Sequence, residues 1–110
     1  MIPYQDFRRL LTDVTECKDL DSYIAEVGGS VPLDDVDKVV KLLTMIWDVG
    51  HAGLTIKSLS AACDISVRRI ALQYGLPTRT VENWASGDRT PPEWQLPLIA
   101  YAVISDSIND

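Results

Sequence analysis

The most constraining feature of this chain is the spacing of four residues within the stretch 66–87. Ala71 lies four residues before Gly75, Val81 lies six residues after that glycine, and Trp84 follows three residues later. Two helices that cross closely need a small residue at the crossing point and apolar residues to fill the wedge between them. Each residue alone is an ordinary core residue, but their joint spacing predicts two short helices joined by a tight turn.

The ends of these two helices carry residues that commonly begin and end helices. Ser66 is a good N-cap, because its hydroxyl can accept a hydrogen bond from a free N–H of the first turn. Gly75 can adopt the left-handed conformation that follows many helix C-termini. Pro77 fits near the start of the second helix, where its missing N–H is harmless. With Gly87 closing it, the second helix is expected over about residues 77–86.

Residues 54–104 resemble the helix-turn-helix domain of the lambda-repressor/Cro-like (XRE-type) superfamily. The sequence YGLPTRTVENWASGDRTPP is similar to the pattern YGIP-RT-x-x-W-x-x-G-x-R-x-PP of small bacterial and phage regulators in that superfamily. The resemblance covers about half of the chain. It implies an all-α fold and a DNA-binding function.

Charge is distributed unevenly along the chain. The formal net charge is −6, which argues against a nucleic-acid partner when it is taken as a sum. Residues 1–53 hold five Lys/Arg against ten Asp/Glu, whereas residues 54–104 hold five against four. The acid is therefore concentrated outside the second half, whose cations suffice for a handful of phosphate contacts.

Composition indicates a packed protein of the cytoplasm. Hydrophobic residues make up 46% of the chain, and no apolar run approaches the roughly 20 residues that span a bilayer. The N-terminus lacks the basic and then apolar layout of a signal peptide. Cys17 and Cys63 match no metal-binding spacing, so reduced thiols are expected. We therefore expect a cytoplasmic protein without a membrane partner.

The first half, residues 1–50, is expected to be an acidic helical extension. Amphipathic spacing predicts three helices, over Pro3–Val14, from Asp19 or Asp21 to Gly28, and from Asp34 or Asp35 to about Gly50. The third carries an apolar stripe of Val36, Val39, Val40, Leu43, Ile46 and Trp47. Residues 50–53 are predicted to be a permissive linker. This half is interpreted as a dimerisation element, as added core for one monomeric domain, or as a surface for a protein partner.

The second half is expected to contain four helices. Thr55 can cap a helix over Ile56–Cys63, which precedes the two crossing helices. After the loop 88–92, the last helix is predicted over about Pro97–Ile104, with residues 105–110 as a polar tail. The side chains predicted to cover the core from this region are Trp94, Leu98, Ile99, Ala102 and Val103. The whole chain is thus predicted to be all-α, with about six to seven helices.

Residues on the outer side of the second crossing helix are candidates for base contacts. A helix-turn-helix places its second helix in the major groove of double-stranded DNA. Because Val81 and Trp84 must face inward, Thr78, Arg79 and Asn83 face outward. Arginine can donate two hydrogen bonds to guanine, and asparagine can pair two-fold with adenine. In the superfamily, residues at the matching positions commonly contact bases, which supports the same assignment.

A second set of residues, mostly at the start of the first crossing helix and in the loop after the second, is expected to contact the DNA backbone. Arg68 and Arg69 are alternatively ordinary solvated residues, and Arg89 alternatively pairs with Asp88 or Glu93. The complete set of backbone-contact candidates is Ser66, Arg68, Arg69, Thr80, Arg89 and Thr90.

Two functions are consistent with these features. The first is a sequence-specific DNA-binding transcriptional regulator of bacterial or phage type, acting as a monomer or a homodimer. The second is an acidic protein-binding adaptor or inhibitor built on a helix-turn-helix scaffold. The sequence contains no His/Cys/Asp constellation, Gly-rich phosphate loop or metal spacing. We therefore expect neither enzymatic activity nor a cofactor or metal.

Overall fold

The computed structural model of the protein describes residues 2–109, which form seven α-helices and two 3₁₀ turns without a β-strand. The 3₁₀ turns are Val14–Glu16 and Gly28–Ser30. The all-α prediction is confirmed. None of the helices in this part of the chain is long and apolar enough to cross a membrane. The helices are α1 (Tyr4–Asp13), α2 (Leu20–Val27), α3 (Val36–Ala52), α4 (Ile56–Cys63), α5 (Val67–Gln73), α6 (Thr78–Ser86) and α7 (Gln95–Asn109).

Polar side chains at the N-caps fix where four of the helices begin. Asp19 and Asp35 accept hydrogen bonds from first-turn N–H groups of α2 and α3. Thr55 and Ser58 form a reciprocal capping box at the start of α4, with both hydrogen bonds 3.0 Å long. Ser66 accepts from the backbone N–H of Arg69 at 3.1 Å. These bonds satisfy donors that would otherwise lack an intrahelical partner.

The longest helix, α3, lies at the centre of the molecule. It packs against α1 and α2 on the N-terminal side and against α4 and α7 on the C-terminal side. Its buried side chains Leu42, Leu43 and Ile46 belong to a hydrophobic cluster that also includes Phe7 from α1 and Ile104 from α7. The two halves of the sequence thus contribute side chains to one continuous core.

The expected linker at residues 50–53 is wrong, because α3 continues through Gly50 to Ala52. Gly50 serves close packing instead of chain flexibility. A Cβ atom added to it would lie 2.2 Å from Cγ1 of Val14, which is fully buried. The missing side chain lets the first 3₁₀ turn approach the α3 backbone. Only Gly53 breaks the helix, with a φ of 92°.

The last helix is longer in both directions than predicted. It begins at Gln95, so that Pro97 is its third residue, where the missing N–H has no intrahelical partner to lose. It also continues to Asn109, so the prediction of a polar tail from residue 105 is wrong. Ser105 and Ile108 are buried in this added part, which explains why it stays helical. Asp110 lies outside the described residues.

Several side chains predicted to lie in the core are exposed. Trp94 is 66% exposed and lies in the turn before α7, not on the helix. Leu98 is also exposed, since the buried side of α7 is set by Ile99, Ala100, Val103 and Ile104. At the start of α3, Val36 is 73% exposed and Val40 is 40% exposed. The apolar stripe of α3 is therefore only partly covered by the rest of the chain.

Candidate nucleic-acid interface

The turn between α5 and α6 positions the candidate site. Gly75 has a φ of 67°, and the N–H of Leu76 donates to the carbonyl of Ala71 at 2.8 Å. This is the hydrogen bond of a Schellman motif, which reverses the chain after a helix. Ala71 and Val81 are fully buried between the packed helices, as the spacing predicted, whereas Trp84 is half-buried.

One cleft brings together four of the predicted site residues. Arg79, Thr80, Asn83 and Arg89 line it together with Trp84, and its volume is about 390 Å³. The loop after α6 folds back on the helix, since the N–H of Arg89 donates to the carbonyl of Asn83 at 3.2 Å. That backbone contact places the loop arginine beside the helix. Arg79 is exposed, and Asn83 is half-buried.

A second depression, at the start of α5, holds three further candidates. Ser66, Arg68 and Arg69 line it, and both arginines are exposed. The Ser66 oxygen already accepts the capping hydrogen bond, but its O–H remains available as a donor. The opposite wall includes Asp106 from α7. This depression therefore combines two guanidinium groups with one carboxylate.

The two remaining candidates border neither depression, although each neighbours a residue of the cleft along the chain. Thr78 is half-buried at the first position of α6 and lines neither of the two depressions. Thr90 is exposed and borders an adjoining groove that shares Trp84 and Arg89 with the cleft. The predicted residues thus lie around two depressions, one at the start of α5 and one along α6 and the loop after it.

The arginines around α5 and α6 form no ion pair with the other described residues. Within residues 2–109 the one ion pair joins Arg9 to Asp6 at 3.0 Å. The alternative in which Arg89 pairs with Asp88 or Glu93 is therefore wrong. Among residues 2–109, no carboxylate lies within ion-pair distance of the four arginines that could meet an external anion, which are Arg68, Arg69, Arg79 and Arg89.

The sequence analysis missed a hydrogen-bonded group that joins α5 to α7. The Tyr74 hydroxyl donates to Oδ2 of Asp106 at 2.5 Å, and Nε2 of Gln73 donates to the same oxygen at 3.2 Å. Burial, reinforced by the Asp106 carboxylate, raises the pKa of Tyr74. Because residues 105–110 were predicted to be a polar tail, no contact between Asp106 and α5 was expected. The four-residue spacing of Ala100, Ile104 and Ile108 could have shown that α7 continues.

The acidic half leaves α6 accessible. α6 packs mainly against α4 and α5, and Arg79 and Glu82 are exposed on its outer side. Glu82 is the one acidic side chain on α6 and places a negative charge close to Arg79.

The described part of the chain contains no cluster of three or more His, Cys, Asp or Glu residues that could hold a metal ion. Comparison with known proteins gave no match to a family model, to a curated protein or to a solved structure.

Proposed function

We propose that this chain is a sequence-specific DNA-binding transcriptional regulator of bacterial or phage type, in which α5 and α6 act as a lambda-repressor-like helix-turn-helix. The observation that carries the proposal is a group of four arginines on and beside these two helices, none of which forms an ion pair within residues 2–109. A chain with a net charge of −6 offers many carboxylates for ion pairs. Four arginines that form no ion pair with the other described residues lie near one helix pair, where they are suited to bind an external polyanion.

In the proposed mode of binding, α6 enters the major groove and α5 lies across the phosphate backbone. Arg79 donates to guanine O6 and N7, and Asn83 pairs with adenine. Thr78 contacts a phosphate or a thymine methyl group. The contacts that fix the orientation of the protein on the duplex come from Ser66, Arg68, Arg69, Thr80, Arg89 and Thr90.

Carboxylates near the proposed interface are expected to weaken its binding to phosphate groups. Glu82 and Asp106 stand close to the arginines and repel phosphate groups. The acidic first half adds a long-range repulsion that is strongest at low salt. Binding to arbitrary DNA is therefore expected to be weak. A correct base sequence must supply a larger share of the binding free energy than in a basic regulator.

The decisive experiment selects a binding sequence from a random duplex library and then measures affinity by fluorescence anisotropy at two salt concentrations. Arg79→Ala is compared with the wild type and with Arg8→Ala. Arg8 is an exposed arginine on α1, so its variant loses the same charge away from α6. We expect Arg79→Ala to lose roughly 1–3 kcal/mol of discrimination at one base pair. Arg8→Ala should retain that discrimination.

Selection of no motif, or equal effects of the two arginine variants, would contradict the proposal. A motif with two half-sites about one helical turn apart would further indicate that the protein binds as a homodimer.

Loss of a contact to the DNA backbone should affect binding differently from loss of a base contact. Arg68→Ala should weaken binding to all sequences by a similar factor and lower the salt slope by about one unit, because one phosphate contact is lost. Glu82→Gln should have the opposite effect and strengthen binding, since it removes a negative charge from the proposed interface. Glu16→Gln, which alters an exposed glutamate in the first 3₁₀ turn of the N-terminal half, is the matched control for the charge change.

A further inference from the structure

An apolar groove lies between the end of α2 and the start of α3, in the half of the chain that the proposed DNA interface does not use. Its walls consist only of aliphatic side chains and glycine, and its volume is about 390 Å³. We call it the α2–α3 groove. The residues that matter here are Ile24, Gly29, Val31, Leu33, Val36 and Val40.

The outer wall of the α2–α3 groove is left open by the fold. Val36 and Val40 are spaced four residues apart on α3 and are 73% and 40% exposed. Two such side chains form a ridge of the kind that packs between the side chains of another helix. Gly29 adds open space, because a Cβ atom placed there would meet no atom within 4 Å.

The rim of the α2–α3 groove is acidic. Asp34, Asp35 and Asp37 flank Val36 and are all exposed. One oxygen of Asp35 is occupied in capping α3, whereas Asp34 and Asp37 form no ion pair within residues 2–109. Among the described residues, the nearby cations form no ion pair with this acid, since Lys38 makes none and the Lys41 ammonium donates to the carbonyl of Ser107.

We propose that the α2–α3 groove binds an amphipathic helix of a partner protein, one that presents aliphatic side chains at helical spacing flanked by lysine or arginine. The aliphatic side chains enter the groove beside Val36 and Val40, and the basic side chains meet Asp34 and Asp37. A second copy of this chain is a poor occupant, because it would bring its own acidic rim against the first.

The test uses the full chain labelled with ¹⁵N and a synthetic leucine–lysine peptide of about 15 residues, long enough to form a helix on binding. A shuffled peptide of identical composition, without an apolar face, is the control for non-specific charge attraction. We expect the amphipathic peptide to shift the amide resonances of Gly28, Gly29, Val36 and Val40. The shuffled peptide should leave them in place.

Val36→Asp separates apolar docking from simple charge attraction. The substitution adds a negative charge and also removes an aliphatic contact. Because the variant loses an aliphatic contact inside the groove, we expect the peptide to bind about tenfold more weakly. Gln5→Glu adds the same charge on α1, away from the groove, and should change the affinity less than about twofold. Gly29→Leu, which fills the groove, should weaken binding as Val36→Asp does.

Three results would overturn the proposal. The first is a peptide that leaves the groove resonances unchanged at millimolar concentration. The second is a Val36→Asp variant that binds as tightly as the wild type or more tightly. The third is a shift of the groove resonances with protein concentration alone, which would identify a second copy as the occupant. Val36→Asp should leave DNA binding unchanged, so this proposal and the proposed regulator function can fail independently.

Discussion

At the scale of single residues, Gly50 shows how the absence of a side chain controls the approach of two segments. Its added Cβ would lie 2.2 Å from Val14 Cγ1, and Val14 is fully buried and cannot turn into solvent. We therefore expect Gly50→Ala to lower the free energy of unfolding by about 1–3 kcal/mol, the usual range for overpacking, although alanine favours helices. Urea denaturation followed by circular dichroism measures this.

Two further variants test the cause. Gly29→Ala is the matched control, because its new methyl group meets open space and should leave stability unchanged or slightly higher. Adding Val14→Ala to Gly50→Ala removes the clash, so the two substitutions should be non-additive. A Gly50→Ala variant as stable as the wild type would show that the contact relaxes without cost.

Gly75 illustrates a different requirement, that of backbone conformation. Its φ is 67°, and an added Cβ would meet no atom within 4 Å. Any cost of Gly75→Ala is therefore conformational, and we expect about 1–2 kcal/mol from the left-handed backbone. Gly75→Asn should cost less, because asparagine tolerates this region better than alanine. Thermal unfolding of the two variants checks the order, and equal losses would contradict this explanation.

At the scale of helices, the contact between Tyr74 and Asp106 joins α5 to α7. The phenol donates to the carboxylate at 2.5 Å. We expect Tyr74→Phe to lower the free energy of unfolding by about 1 kcal/mol, as is typical of a lost hydrogen bond at a partly exposed site. Gln73→Ala, which removes the longer hydrogen bond to the same oxygen, should cost less. Chemical denaturation of both variants at neutral pH measures the difference.

The same contact predicts how stability responds to alkali. Burial and the Asp106 carboxylate raise the pKa of Tyr74 above its ordinary value of about 10. The neutral phenol is thus favoured in the folded state, and its contribution is complete below about pH 10 and declines above it. Burial also raises the pKa of Tyr23, so the wild type should lose stability steeply above pH 10. Tyr74→Phe should reduce that slope but not abolish it, and an unchanged slope would contradict the assignment.

At the scale of the whole molecule, the shared core predicts that both halves unfold together. Phe7, Leu42, Leu59 and Ile104 belong to one buried cluster. The Tyr101 hydroxyl on α7 also donates to the carbonyl of Ile2 at 2.5 Å. We therefore expect one cooperative transition instead of two.

Tryptophan fluorescence can follow each half separately. The variant Trp84→Phe/Trp94→Phe leaves Trp47 as the reporter of α3, and Trp47→Phe leaves the reporters of the second half. In each variant, the fluorescence transition should coincide with the transition seen by far-UV circular dichroism. Separate midpoints would instead show that residues 1–50 and 54–104 are independent domains.

The sequence determined the local elements, because the interactions that define them lie within a few residues. Ser66 and Thr55 cap the helices that they were expected to cap, and the spacing of Ala71, Gly75 and Val81 gave the packed pair α5 and α6. Outward-facing positions such as Arg79 also followed from helical period alone. These features need no knowledge of distant segments.

Only the tertiary structure decided which apolar positions are buried and which polar groups meet. Gly50 was predicted to lie in a linker, but in the structure Val14 packs against it. Asp106 was predicted to lie in a polar tail, but it accepts a hydrogen bond from Tyr74. Val36 and Val40 continue an apolar stripe, yet no segment of the described chain covers them fully. Burial depends on contacts between residues distant in sequence, and hydrophobic period identifies a face without identifying what packs on it.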